Sequence, residues 1–300
     1  MATQWIIVDW GTSNFRAWLI DADSGMIRDE ISDGAGMASL ESREFPDYCR
    51  DRLQAWRTGS TPPIYMSGMV GAAQGWQLAP QLPLPIRLDE LAKEVVAANG
   101  LDDTWIIPGA RLAGDHPDVM RGEEVQIFGA LAIAGRDDAL LCLPGTHSKW
   151  ARVEDRRLNA FTTSMTGEVF ELMLSHSILA RSAEERKSSE AAFEQGLIQA
   201  QNDGGLLHQL FTTRARTLYG GLAPADLYSY LSGVLIGSEV KAMQTLYPPD
   251  GQELLLICAS GLRQPYEHAL RLSGYSTRWL DARLASLQGT RAIIARHRSD

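Results

Sequence analysis

Trp5-Ile6-Ile7-Val8-Asp9-Trp10-Gly11-Thr12-Ser13-Asn14 is the stretch on which the fold turns. Trp5–Val8 is an apolar, β-branched run of strand length, and Phe15–Ile20 is a second strand directly after the turn. The turn combines Gly11, Thr12, Ser13 and Asn14, whose backbone N–H groups and short polar side chains suit a phosphate. Asp9, at the strand end, is a carboxylate placed to hold a hydrated Mg²⁺; its alternative task is to cap the turn.

The pattern restarts later. Leu141-Cys142-Leu143-Pro144-Gly145-Thr146-His147-Ser148 sets the same apolar strand and Gly-Thr turn before a second Trp-bearing strand, Lys149–Val153. Gly145, Thr146 and Ser148 are therefore further phosphate-binding candidates, while His147 either satisfies the turn or acts chemically. Each copy begins with a three-strand meander, the first completed by Met26–Asp29 and the second by Asn159–Thr163. Each ends in a helix rich in Gly and Ala, Glu123–Ala134 and Ala282–Arg296. The repeat is too long for a solenoid and fits two similar domains facing each other. Between these landmarks the periodicity predicts helices over Glu44–Arg57, Leu88–Asn99, Gly167–Leu174, Ser189–Gln199, Leu206–Thr213 and Pro224–Gln244. Strands are predicted at Ile64–Met66, Thr104–Ile107 and Glu253–Ile257, with an irregular connector over Gln77–Arg87.

With 300 residues, ample apolar content and a net charge of −9, the chain supports a sizeable core and has no basic surface for nucleic acid. The sequence predicts neither a secretory signal nor a membrane span, and its three cysteines follow no metal-ligand spacing. The expected location is cytoplasmic.

Two phosphate hairpins, a late strand ending in a glycine turn and two small-residue helices resemble the sugar kinase, hexokinase and actin-like ATPase superfamily. Five ordered stretches make the chain most similar to the 2-dehydro-3-deoxygalactonokinase family. They are Val8–Trp18, Met66–Gly71, Arg121–Gln126, Leu143–Trp150 and Met165–Phe170. The resemblance implies an α/β fold of two ribonuclease-H-like domains, each a mixed five-stranded sheet flanked by helices, with a cleft between. The implied domains are 1–135 on the sugar-acid side and 136–284 on the nucleotide side, with 285–300 as a helix crossing back. It implies a kinase using ATP and Mg²⁺ on the terminal (6-) hydroxyl of 2-dehydro-3-deoxy-D-galactonate in galactonate breakdown; another sugar, sugar acid or polyol is the alternative acceptor. The partners are then small molecules, and a homodimer stays open.

By the same resemblance the proton acceptor is a carboxylate ahead of the second phosphate turn, Glu123 or Glu124. The competing reading is a pair of acidic residues favoured by the helix dipole. Ser260, Gly261 and Leu262 form the expected adenosine turn, with Arg263 and Tyr266 either near the base or on the surface. Gly68, Met69, Gln74, Trp76, Thr166 and Glu168 are expected around the sugar acid, the alternative being plain loop and cap positions. Arg16, Arg111, Arg121 and Lys149 are the candidate cations for its carboxylate.

Overall fold

The computed structural model describes residues 3–41, 44–180 and 188–299. It divides into two compact units, one of Met1–Asp138, Arg152–Phe161 and Ala282–Asp300, the other of Ala139–Ala151 and Thr162–Asp281. The elements run β1 (Gln4–Trp10), β2 (Asn14–Asp21), β3 (Ile27–Ala35), α1 (Phe45–Leu53), β4 (Ile64–Ser67), β5 (Gln81–Pro83), α2 (Leu88–Lys93), β6 (Val96–Ala97), β7 (Thr104–Ile106), β8 (Gly109–Leu112), β9 (Asp118–Met120) and α3 (Glu123–Ala134). They continue with β10 (Ala139–Leu143), β11 (Ser148–Glu154), β12 (Arg157–Ser164), α4 (Thr166–His176), α5 (Glu190–Ala200), α6 (Gly205–Leu218), α7 (Leu227–Leu246), β13 (Glu253–Cys258), α8 (Ser260–Leu272), β14 (Ser276–Asp281) and α9 (Ala282–His297).

The first large sheet has the order β3-β2-β1-β4-β7-β6 and the second β12-β11-β10-β13-β14. Omitting β6, both sheets follow one plan: a three-strand meander, then two further strands beside its first strand. In the first sheet β1 pairs antiparallel with β2 and parallel with β4. In the second, β13 runs parallel to both β10 and β14. The two-residue β6 joins β7 antiparallel, so the first sheet has six strands where five were expected.

Period-two patterning divides β1 between two apolar layers. Ile6, Val8 and Trp10 pack with Phe45, Cys49 and Leu53 of α1, whereas Ile7 packs with Trp18, Tyr65 and the α9 residues Leu287 and Ile294. In the second unit Cys142, Trp150, Leu256 and Cys258 share a core with Phe193, Val240 and Tyr266. All three cysteines are buried thiols. Small residues set the helix crossings. A Cβ on Gly129 of α3 would stand 1.9 Å from the Ala285 carbonyl oxygen of α9, and one on Gly289 would stand 2.0 Å from that of Val125. An equivalent pair, Gly196 and Gly233, brings α5 and α7 together.

Several local expectations change. The helix expected over Leu88–Asn99 ends at Lys93, because Val95 and Val96 disfavour helix and Val96–Ala97 gains strand pairing with β7. The irregular connector at Gln77–Arg87 contains β5, which pairs with β8 in a three-stranded sheet, β5-β8-β9. Ser260-Gly261-Leu262 is the first turn of α8, not a glycine loop. β14 had no sequence counterpart.

Candidate active site

The first hairpin turns as its sequence suggests. Asp9 and Arg16 are directly opposed in the β1–β2 register, and the guanidinium donates to the Asp9 carboxylate at 2.8 Å. Burial nevertheless pushes the Asp9 pKa up, Arg16 opposes the shift, and the nearby Glu123 charge adds to it. At the turn, the Gly11 N–H donates to Asn14 O at 3.0 Å, while Thr12, Ser13 and Asn14 are exposed. Behind it lies Gly36, just past β3, where a Cβ would fall 2.2 Å from the Ser13 carbonyl carbon. Met37 and Ala38 donate their N–H groups to the Gly11 and Thr12 carbonyls, so the turn's backbone is held by the segment just past β3.

Two glycines with left-handed φ bring the next elements against Asp9. Gly68, at the end of β4, has φ 97°, and a Cβ there would lie 2.9 Å from Trp10 O and 3.4 Å from Asp9 Oδ1. Gly122, with φ 108°, packs its α-carbon region on Gly68 and opens α3. The structure thus gathers Asp9, Gly68 and the Glu123–Glu124 pair in one unit.

The two glutamates differ. Glu123 is half-buried, and its Oε2 accepts the Arg121 N–H at 3.0 Å. Glu124 is fully buried, and its oxygens accept the Gly122 N–H at 2.8 and 2.9 Å. Burial first, and the adjacent Glu123 charge second, push the Glu124 pKa up to about 8. At neutral pH Glu124 is therefore mainly protonated and out of reach of a ligand, whereas Glu123 lies within the field of Asp9.

Of the other expected residues in this unit, Met69 is half-buried and Gln74 exposed. Trp76 donates its indole N–H to Asn99 O at 2.9 Å and sets its ring edge-on to Trp10, which ties it to the core. Arg121 donates to Ala79 O at 2.9 Å and has one buried nitrogen against Gly71. Arg111 is held at Gln81 O by its Nε, and Lys149 is buried in the second unit.

The second hairpin leans on a glycine too. Gly167, in the first turn of α4, would place a Cβ 2.5 Å from Gly145 O and 2.8 Å from the Thr146 α-carbon. Gly145, Thr146, Gly167, Glu168, Tyr228 and Leu262 help line a pocket of about 480 Å³, which joins the second phosphate turn to the start of α8. A Cβ on Gly261 would meet nothing within 4 Å, so the backbone there is open.

Ser148 needs correction as a phosphate ligand. It is fully buried, and its hydroxyl hydrogen-bonds Tyr266 at 3.0 Å. Tyr266 in turn donates to Glu239 Oε2 at 2.8 Å and belongs to the core of the second unit. Trp150 donates to Glu239 Oε1 at 2.9 Å and Thr166 donates to Oε2, so the Thr166 hydroxyl is engaged within the second unit. Burial raises the Glu239 pKa although these donors oppose the shift. Glu239 escaped the sequence reading; its signal was a lone acid in the buried i, i+4 series Leu231, Leu235, Glu239, Met243. A larger cavity, about 690 Å³, is lined by Gln209, Lys241 and Glu239, and of the expected residues only Thr166 reaches it. Thr166 and Glu168 belong to the second unit, whereas Gly68, Met69, Gln74 and Trp76 belong to the first.

The model of the 2-keto-3-deoxy-galactonokinase family matches residues 9–293, from the metal-candidate aspartate to the last helix. The chain belongs to this family. It is 33% identical over 294 residues to the 2-dehydro-3-deoxygalactonokinase of Escherichia coli (strain K12), covering 98% of each chain. A solved structure of a Sinorhizobium meliloti protein, provisionally given the same kinase name, superposes with a TM-score of 0.88 at 35% identity, covering 98% of both chains. The fold extends further: the 2-hydroxyisocaproyl-CoA dehydratase activator of Clostridium difficile, solved with bound ADPNP, gives a TM-score of 0.55 at 10% identity over 99% of this chain and 97% of its own. As a member of this kinase family the chain is a phosphotransferase of the α/β, actin-like ATPase fold.

Proposed function

We propose that this kinase transfers the γ-phosphoryl group of ATP to the terminal (6-) hydroxyl of 2-dehydro-3-deoxy-D-galactonate, giving the 6-phosphate and ADP in galactonate breakdown. The family match across 9–293 carries this reading. The local chemistry of Asp9, Gly68 and Glu123 supports it.

In the proposed step the sugar-acid hydroxyl oxygen bonds to the γ-phosphorus as the bond to the β-phosphate oxygen breaks. The hydroxyl proton passes to Glu123, the half-buried and accessible member of the pair, while Glu124 holds the start of α3 through the Gly122 N–H. The Gly11–Asn14 and Gly145–Thr146 turns supply donors to the phosphates. Glu168 moves from the sugar-acid set to the nucleotide side, since it shares a pocket with Gly145, Thr146 and Leu262.

Asp9 is an oxygen donor of the kind Mg²⁺ takes, and among the described residues no cluster of three or more His, Cys, Asp or Glu could hold a metal unaided. A single carboxylate fits an ion brought in on the nucleotide's phosphates. Bound there, Mg²⁺ would neutralise charge developing on the phosphate oxygens. Among the described residues no helix is long and apolar enough to cross a membrane, and dependence on ATP supports a cytoplasmic site of action.

The test is ADP release in a coupled assay across keto-deoxy sugar acids, neutral sugars and polyols. Turnover is expected with 2-dehydro-3-deoxy-D-galactonate. Activity only on a neutral sugar or polyol would assign a different acceptor, and no turnover with any keto-deoxy acid would overturn the reading.

A further inference from the structure

His147 sits at the tip of the second phosphate turn and has no task in the step above. Its side chain is 47% exposed although Ser148 beside it is fully buried. Its Nε2 lies 2.5 Å from Glu168 Oε2. A carboxylate only accepts, so the imidazole N–H is the donor. The same residue of α4 donates its backbone N–H to Thr146 O at 3.0 Å, and Gly167 fits beneath Gly145. The first turn of α4 thereby grips Gly145, Thr146 and His147 in succession.

Gly145, Thr146, Glu168 and His176 are among the described residues that line the pocket beside this turn. A carboxylate left unengaged beside a phosphate turn would repel an anion. The hydrogen bond engages the Glu168 carboxylate and fixes the ring's orientation, and a ring carrying a proton on each nitrogen can donate from Nδ1 to an anion as well.

We infer that Glu168 is a positioning residue for the nucleotide: its carboxylate holds the His147 imidazole at the Gly145–Thr146 turn, where the ring serves the phosphate chain of a nucleoside di- or triphosphate. This rests on the kinase reading and deepens its nucleotide side. Glu168 then acts through His147 and touches no sugar acid.

The experiment is a double-mutant cycle of Glu168→Gln and His147→Gln, read as the KM for ATP, the KM for the sugar acid, and ADP binding by calorimetry. Glu168→Gln should raise the ATP KM and weaken ADP binding by about tenfold, the loss of one charge-assisted hydrogen bond's positioning. The sugar-acid KM should stay within about twofold. In the His147→Gln background the same change should do little more, because the two act as one unit. Glu168→Asp keeps the charge but withdraws it by one methylene, and should behave like Glu168→Gln. A rise confined to the sugar-acid KM would overturn the inference, as would two single effects that multiply in the double variant. ADP binding needs no acceptor, so it tests the dyad even if the acceptor assignment fails; absence of wild-type turnover would count against the kinase reading alone.

Discussion

The two hairpins share a scaffold and diverge in chemistry. Each places a Gly-Thr turn after an apolar strand, and each sets a glycine under the turn, Gly36 just past β3 and Gly167 just past β12. In the first, the residue two before the turn glycine is Asp9, in the field of Glu123; in the second, Leu143 occupies that place and Glu168, beyond the hairpin, is bonded to His147. In the proposed reading the backbone plan supplies phosphate donors twice, whereas metal and proton chemistry falls to the first copy. Buried glutamates repeat the contrast. Glu124 is satisfied by backbone N–H groups, its own and that of Gly122, Glu239 by side chains drawn from β11, α4 and α8.

The sharpest way to break the comparison is at the first copy's carboxylates. Glu123→Gln should lower kcat by roughly 10²–10⁴-fold, the usual worth of a general base, while Glu124→Gln costs far less. Equal losses in steady-state assays would erase the distinction drawn from burial. Next, Asp9→Asn should lower kcat on the order of a hundredfold and shift the Mg²⁺ dependence to higher concentration. A metal titration showing an unchanged half-saturation point would remove Asp9 from that role. Smaller effects are expected under the turns. Gly36→Ala and Gly167→Ala each force a Cβ into turn backbone, and should cost about 1–3 kcal/mol in denaturant unfolding. If either is neutral, the two turns are not supported alike.

The smallest effect is on pH. A carboxyl whose pKa is raised in the folded state holds its proton longer there than in the unfolded chain, so stability is lost as pH rises. For Glu124 the window runs from the unfolded value of 4.5 to about 8. Melting temperatures measured between pH 5 and 9 should therefore fall by a few degrees more in the wild type than in Glu124→Gln. Parallel curves would show that Glu124 does not titrate in this range.

Much of this was visible in the sequence where the signal is local. The helix Glu123–Ala134 and the strand Ala139–Leu143 lie where their patterns put them, because each is long enough to show periodicity and each has a boundary residue. β6, of two residues, and β5 and β9, of three, exist only through their partners, and none carries the apolar run that marks the equally short β7. The Asp9–Arg16 pair could have been read from hairpin register, since a turn at Gly11–Asn14 sets residue 9 opposite 16. The partners of Glu239 could not. They come from positions 150, 166 and 266, and only the folded chain brings them together.

The buried thiols make the molecule its own stopwatch. Cys49 lies in the core of the first unit, Cys142 and Cys258 in that of the second. Burial pushes Cys49 and Cys258 up to about 12 and Cys142 well above its ordinary value, so none presents a thiolate to an alkylating reagent while its core is closed. Labelling at these cysteines reports opening of each core separately. Mass spectrometry of the labelled peptides, with and without ATP, would time which half the nucleotide keeps shut.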